Sequence, residues 1–154
     1  VRRITQLGNG GLIWLSIACL LFAVRPQRLL AATVITAQLL GALVTNLFIK
    51  NTVKRRRPYE IIAGLEALLP PQKDWSFPSG HTAASFTAVV ALSFAGEKRA
   101  WKAALVLACL IAFSRMYLYV HYPTDVLGGV LVGIAAGYGG YRVVKALEQY
   151  KKEK

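Results

Sequence analysis

Charge is scarce in this chain, and acid is scarcest. Seven of its 154 residues are Asp or Glu against 19 Lys and Arg, and charged residues make up only 17%. A soluble domain usually carries about 25% charged and about 45–50% apolar residues. Here apolar content is 55% and mean hydropathy +0.44. A chain of this length and balance reads as one multi-span membrane domain covering 1–154, which argues against a soluble globule. Cysteine is nearly missing. Cys19 and Cys109 both fall inside apolar runs, which excludes a disulfide framework and leaves no metal-ligand spacing. They read as buried apolar thiols. Neither an internal repeat nor a low-complexity segment occurs. Position 1 is not Met, so an N-terminal segment is expected to precede the chain.

What is there is a surplus of positive charge, +12 in all. In a soluble protein that surplus would point to nucleic acid. Beside long apolar runs it points to the bilayer and to anionic or phosphorylated lipid as partners, with no nucleic acid. Oligomeric state is not encoded in any pattern along the chain.

The runs themselves predict an all-α polytopic transmembrane bundle with five spans, six if a helix precedes Val1. Residues 1–11 are polar and glycine-rich, and read as interfacial. Leu12–Val24 is apolar but short: thirteen residues at about 1.5 Å each cover only about 20 Å. A basic turn follows, Arg25-Pro26-Gln27-Arg28. Leu29–Ile49 has close to the roughly 20 residues a crossing needs, and its Thr33, Thr36, Gln38, Thr45 and Asn46 suit a helix buried among others. Lys50–Asp74 reads as a loop with a basic start. A helix opens at Ser79 or Gly80 and runs to about Ala95. Gly96–Lys102 is a charged turn, and Ala103–Val120 the fourth span. Tyr122-Pro123 starts the fifth, with proline at its favoured first helical position, ending near Val144. Gly129, Gly133 and Gly137 recur every four residues and give that helix a small-residue face for close approach. The tail Lys145–Lys154 is charged and expected at the membrane surface.

Alternation across five spans puts the Arg25–Arg28 turn, the Gly96–Lys102 turn and the tail on one side. It puts three polar clusters together on the other: Lys50–Pro58, Pro78–His81 and Ser114–Asp125. The turn-and-tail side carries ten Lys/Arg and the cluster side nine. Setting aside Lys50, Arg57 and Arg115, which have another proposed task, leaves ten against six, so the turns and tail are placed in the cytoplasm.

The clusters share one chemistry. Lys50, Arg57 and Arg115 are cations suited to phosphate, arginine as a planar fork and lysine as a point charge. Pro78-Ser79-Gly80 at a helix start adds a hydroxyl and free backbone N–H groups, and Gly80 has no side chain to block approach. Both histidines of the chain, His81 and His121, lie in these clusters. Asp125, four residues after His121, is placed to fix its tautomer and leave the other ring nitrogen free to attack. His81 at a helix start is placed to give a proton to a leaving oxygen. Polar groups at membrane depth are costly, and by default they mark function. The run Lys54-Arg55-Arg56 reads as a headgroup-binding face, and Tyr117, Tyr119 and Tyr122 as interfacial anchors.

Lys50-x6-Arg57-Pro58, Pro78-Ser79-Gly80-His81 and Ser114-Arg115-x5-His121-x3-Asp125 together resemble the three-part signature of the type 2 phosphatidic acid phosphatase superfamily. That family includes membrane lipid phosphatases, soluble acid phosphatases and vanadium haloperoxidases. The resemblance implies His121 as nucleophile forming a phosphohistidine, Asp125 as its orienting partner and His81 as the acid. It implies Lys50, Arg57, Ser79, Gly80 and Arg115 as the phosphate cradle, with no metal and no cofactor. It further implies a multi-pass protein of the cell membrane, bacterial inner membrane in type, with its site facing the periplasm or exterior. The expected activity is hydrolysis of a terminal phosphate from a lipid phosphate or diphosphate. A polyprenyl diphosphate such as undecaprenyl diphosphate is favoured by the extra basic residues near Arg57. Phosphatidic acid, phosphatidylglycerophosphate or a lipid A phosphate are the alternatives, and a haloperoxidase or a non-catalytic lipid-binding or scrambling protein the remote ones.

Overall fold

A computed structural model describes residues 11–23, 28–64, 70 and 72–154. The expected Arg25–Arg28 turn lies largely outside the described residues, as do residues 1–10. Helix α1 spans Leu12–Ala23. Helix α2 begins as Arg28–Leu43, loosens into a wide turn over Val44–Ile49, where the Lys50 N–H reaches the Thr45 carbonyl, and regains α geometry over Lys50–Val53. Wide turns of this kind often sit at functional sites. A short helix α3, Pro58–Ile61, starts on proline. Helix α4 is Gly80–Phe94, α5 is Ala100–Tyr117 and α6 is Pro123–Lys152. Among the described residues there is no strand.

Helix α4 is the centre, packing on α2, α5 and α6. The α4–α6 seam is closed by glycine. A β-carbon on Gly133 would lie 2.7 Å from Phe86 Cβ and 2.8 Å from the Ala83 carbonyl, and one on Gly137 would lie 2.6 Å from Val90 Cβ. All three distances are shorter than real β-carbon contacts, so the seam exists only because these positions carry hydrogen. Gly140 makes the same approach to Ala37 on α2. Polar pins complete the packing: Trp14 Nε1 donates to Ser85 Oγ at 3.2 Å, and Gln38 Nε2 to the Ala84 carbonyl at 2.8 Å.

The outside is apolar. Leu39, Leu43 and Leu47 on α2, Val106, Leu110 and Phe113 on α5, and Leu127, Leu131 and Ile134 on α6 are all exposed. Their three- and four-residue spacing makes stripes of the kind a bilayer covers. Three stretches among the described residues are long and apolar enough to cross: Arg28–Ile61, Ala100–Tyr117 and Pro123–Lys152. Helices α1 and α4, with 12 and 15 residues, fall short of the roughly 20 a perpendicular crossing needs.

Several expectations need correction. Cys19 and Cys109 are exposed on outward faces of their helices, because an apolar run in a bilayer protein faces lipid as readily as the core. Lys50 is the first residue of a helical turn and not of a loop. Helix α2 stops only at Lys54, which takes the left-handed conformation at φ 50°. Helix α6 continues to Lys152, past the expected stop near Val144. No helix breaker follows Val144, and Lys152 pairs with Glu148 at 3.0 Å one turn back.

Candidate active site

The three polar clusters meet at one end of the bundle. Arg57 enters from the turn that follows α2. Its position is set by Pro58 at the first position of α3 and by Glu60 Oε2, which accepts the Arg57 backbone N–H at 3.1 Å. The guanidinium is buried and engaged on all sides. Nη2 donates to Asp74 Oδ1 at 2.7 Å, Nε to the Asp74 carbonyl at 3.1 Å and Nη1 to the Val120 carbonyl at 2.8 Å. Nη1 also lies 3.2 Å from His121 Nε2. Arginine can only donate, so Nε2 accepts, which assigns the ring hydrogen to Nδ1.

His121 Nδ1 faces Asp125 Oδ2 at 3.5 Å and Ser76 Oγ at 3.4 Å. Asp125 is fully buried, and each of its oxygens is engaged. Oδ2 accepts from Ser76 Oγ and from the Tyr122 backbone N–H, the latter at 2.9 Å. Oδ1 accepts from Arg55 Nη1 at 2.9 Å. Pro123 at the first turn of α6 and the carboxylate's bond to Tyr122 N are thus one local device. It places Asp125 where the i,i+4 spacing to His121 becomes a contact. Tyr119, at φ 55°, turns the chain out of α5 just before His121.

Three of the phosphate-cradle candidates, Lys50, Gly80 and Arg115, line a groove of about 600 Å³ between α2 and α4, with Asp74 and His81 beside them at its polar end, while Arg57 and Ser79 are not among its lining residues. Lys50 and Arg115 are buried at 5% and 2% exposure, and Lys50 Nζ pairs with Asp74 Oδ2. A β-carbon at position 80 would sit 3.5 Å from Lys50 Nζ, over the ammonium that an anion would approach. Ser79 is buried as the cap of α4: its Oγ accepts from the Thr82 N–H at 3.4 Å and from Thr82 Oγ1 at 2.9 Å. Its backbone N–H donates to the Asp125 carbonyl at 2.9 Å, which ties α4 to α6.

The charge balance favours an anion. Three buried cations, Lys50, Arg57 and Arg115, and the half-buried Arg55 gather with two carboxylates, Asp74 and Asp125. That net positive charge suits a phosphate-like anion. Burial depresses the His121 pKa, its hydrogen bond to Asp125 raises it, and the charges of Arg57 and Arg115 depress it again. The outcome is an imidazole pushed down to about 4, hence neutral at pH 7, the form a nucleophile requires. Burial raises the Asp74 carboxyl, but the hydrogen bond and charge of Lys50, together with Arg57, outweigh this and hold it below its ordinary value.

The model of the PAP2 superfamily matches residues 28–149. The chain belongs to that superfamily. An undecaprenyl-diphosphatase of Sulfolobus acidocaldarius is 28% identical over 145 residues, covering 91% of this chain and 70% of the relative. The crystal structure of Aquifex aeolicus LpxE superposes with a TM-score of 0.76 at 32% identity, covering 92% of this chain and 82% of that one. That of a transmembrane PAP2-type phosphatidylglycerolphosphate phosphatase from Bacillus subtilis superposes with a TM-score of 0.65 at 28% identity, over 97% and 75%. The chain spans 56% and 48% of the length of two further curated relatives. The Sulfolobus and Bacillus relatives are named as phosphatases, and this PAP2 chain is a phosphatase-family membrane protein whose described residues are helical.

Every signature residue lies in this one region. Three neighbours were not legible as site residues in the sequence. Asp74 had one signal: it is one of only seven acids and stands beside basic clusters. Ser76 had none. Arg55, assigned to a headgroup-binding run, instead turns inward to Asp125.

Proposed function

We propose that this PAP2 protein removes a terminal phosphate from a membrane lipid phosphate or diphosphate through a phosphohistidine on His121. The observation that carries the reading is the orientation of that ring. Nδ1 faces Asp125, while Nε2 faces Arg57 at 3.2 Å beside a cation-rich groove. A phosphoryl group taking up Arg57, Lys50 and Arg115 would bring phosphorus to Nε2. Attack forms the N–P bond and expels the lipid oxygen, His81 supplies its proton, and water then releases phosphate. Asp125 stabilises the imidazolium that develops. The fixed cations neutralise the transferring group without a metal.

The groove extends from the polar end past Thr45, Ala42 and Gln38, a path for the lipid chain to lie sideways between α2 and α4. Five spans, with the site on the periplasmic or outer face, follow if α1 and α4 cross with an adapted bilayer. Polyprenyl diphosphate is the favoured substrate, supported by the Sulfolobus relative's name. Phosphatidylglycerophosphate, phosphatidic acid and lipid A phosphate are the competing headgroups.

The test is phosphate release by purified protein in detergent with EDTA, offering undecaprenyl diphosphate, phosphatidic acid and phosphatidylglycerophosphate in parallel. Release that disappears in His121→Ala is expected, and the ranking of kcat/KM names the lipid class. Release independent of His121 would overturn the mechanism. Inhibition by EDTA that one metal reverses would overturn the metal-free proposal.

A further inference from the structure

Arg55 occupies one of the six unspecified positions between Lys50 and Arg57 and is not among the residues lining the groove. Its guanidinium Nη1 donates to Asp125 Oδ1 at 2.9 Å and to Thr124 Oγ1 at 2.6 Å. The same guanidinium stacks 3.9 Å above the Tyr122 ring. Its backbone carbonyl accepts from the Ser76 N–H at 2.8 Å, and Ser76 Oγ donates to Asp125 Oδ2. Arg55 therefore reaches both carboxylate oxygens, one through its side chain and the other through Ser76. The left-handed turn at Lys54 aims it there.

From this geometry we infer that Arg55 is a positioning residue of the His121–Asp125 pair, locking the carboxylate plane and moderating its pull on the imidazole proton. A lysine run at this place could bind headgroups as loose point charges. A fork bonded to a fully buried carboxylate and stacked on an aromatic ring has a fixed task. The carboxylate without that cation would draw the proton more strongly onto His121, and without the bond would be free to rotate.

The inference rests on the phosphohistidine reading for its kinetic part, but not for its titration part. The test uses the full chain in detergent with Arg55→Gln and Arg55→Lys. The chain has only two histidines, so nitrogen-labelled histidine resolves His121 by NMR, with His81→Asn giving the assignment. Arg57, Arg115, Asp125 and His81 act on the ring, and these, with Lys50 and Asp74 nearby in the site, stay unchanged in both Arg55 variants. In Arg55→Gln, His121 is expected to titrate at higher pH than in the parent, and Arg55→Lys to recover most of that shift. In turnover, kcat is expected to fall about 10- to 100-fold, as when the outer partners of metal ligands are lost. KM and inhibition by inorganic phosphate should stay within about twofold. An unmoved His121 titration overturns the inference, as does a raised KM at unchanged kcat, which would return Arg55 to headgroup binding. Should Arg55→Gln fail to fold, Arg55→Lys carries the same readouts, with a smaller upward shift expected and no shift overturning it. Release that ignores His121→Ala would defeat the phosphohistidine reading and leave the titration result standing.

Discussion

Helix α4 meets two different neighbourhoods, and they depend on opposite properties. Along its middle it lies against α6 with no room for a β-carbon at Gly133 or Gly137. At its start, Ser79-Gly80-His81 lies in a pocket of long charged side chains, with Lys50, Arg57 and Arg115 all buried. The seam is held by dispersion between small groups at close range, so it is sensitive to volume and indifferent to charge. The polar end is held by charge pairs and hydrogen bonds, so it is sensitive to charge and protonation. Gly129 joins the two: a β-carbon there would lie 2.7 Å from the Ser79 carbonyl, one turn from Asp125.

The contrast can be tested by substitutions that affect one region and spare the other. The largest effect is expected at His121. His121→Ala removes the proposed attacking nitrogen while leaving the seam intact, so turnover should fall by at least about a thousandfold. Circular dichroism and thermal unfolding should barely change, and near-normal turnover would sink the mechanism. Asp125→Asn keeps the shape but reverses the hydrogen-bond logic, and kcat should drop roughly a hundred- to ten-thousandfold with KM nearly unchanged. An unaltered rate would remove Asp125 from the chemistry.

Gly133→Ala tests the other neighbourhood. Its added methyl meets Phe86 and the Ala83 carbonyl, and overpacking of this kind costs about 1–3 kcal/mol. Thermal stability should fall while the kcat of the folded fraction stays near normal. Unchanged stability would show that the seam can spread without cost. A charge effect should appear in the pH profile. His121 is pushed down to about 4, and in the proposed mechanism the neutral form attacks. Activity should therefore persist as pH falls through the ordinary histidine value of about 6.5 and be lost only near 4. The readout is the acid limb of kcat/KM, which reports the free enzyme, corrected for the substrate's own ionisation. An acid limb near 6.5 would contradict the depressed value. The smallest effect is expected at Lys54, whose φ of 50° is strained for a residue with a β-carbon. Lys54→Gly should change stability by less than about 1 kcal/mol, in the stabilising direction, measured by thermal unfolding.

How legible the molecule was depends on the range of the interaction. The Gly129–Gly133–Gly137 face, the Pro123 helix start and the helix opening at Ser79 or Gly80 were readable because each depends on neighbours within one or two turns. The convergence of Lys50, Arg57, His81, Arg115, His121 and Asp125 on one end followed from counting apolar runs, since a helix that crosses must emerge on the other side. The turn at Val44–Ile49, which carries Lys50 into a helix, was not readable, because nothing local requires it.

The sequence by itself determined the membrane class, the helical order, the histidine-and-cation inventory and the end of the bundle where it gathers. These are consequences of hydropathy, periodicity and spacing, all of which act along the chain. Only the tertiary structure decided that Arg57 caps Nε2 of His121, that Asp74 neutralises Lys50 and Arg57, and that Arg55 and Ser76 hold Asp125 from opposite oxygens. Those partners are separated by 17 to 70 positions in sequence. Charged and hydroxyl side chains carry no periodic signal of whom they will meet. Their pairing is settled when α4 and α6 close on their glycines and bring the loops at one end within hydrogen-bonding distance.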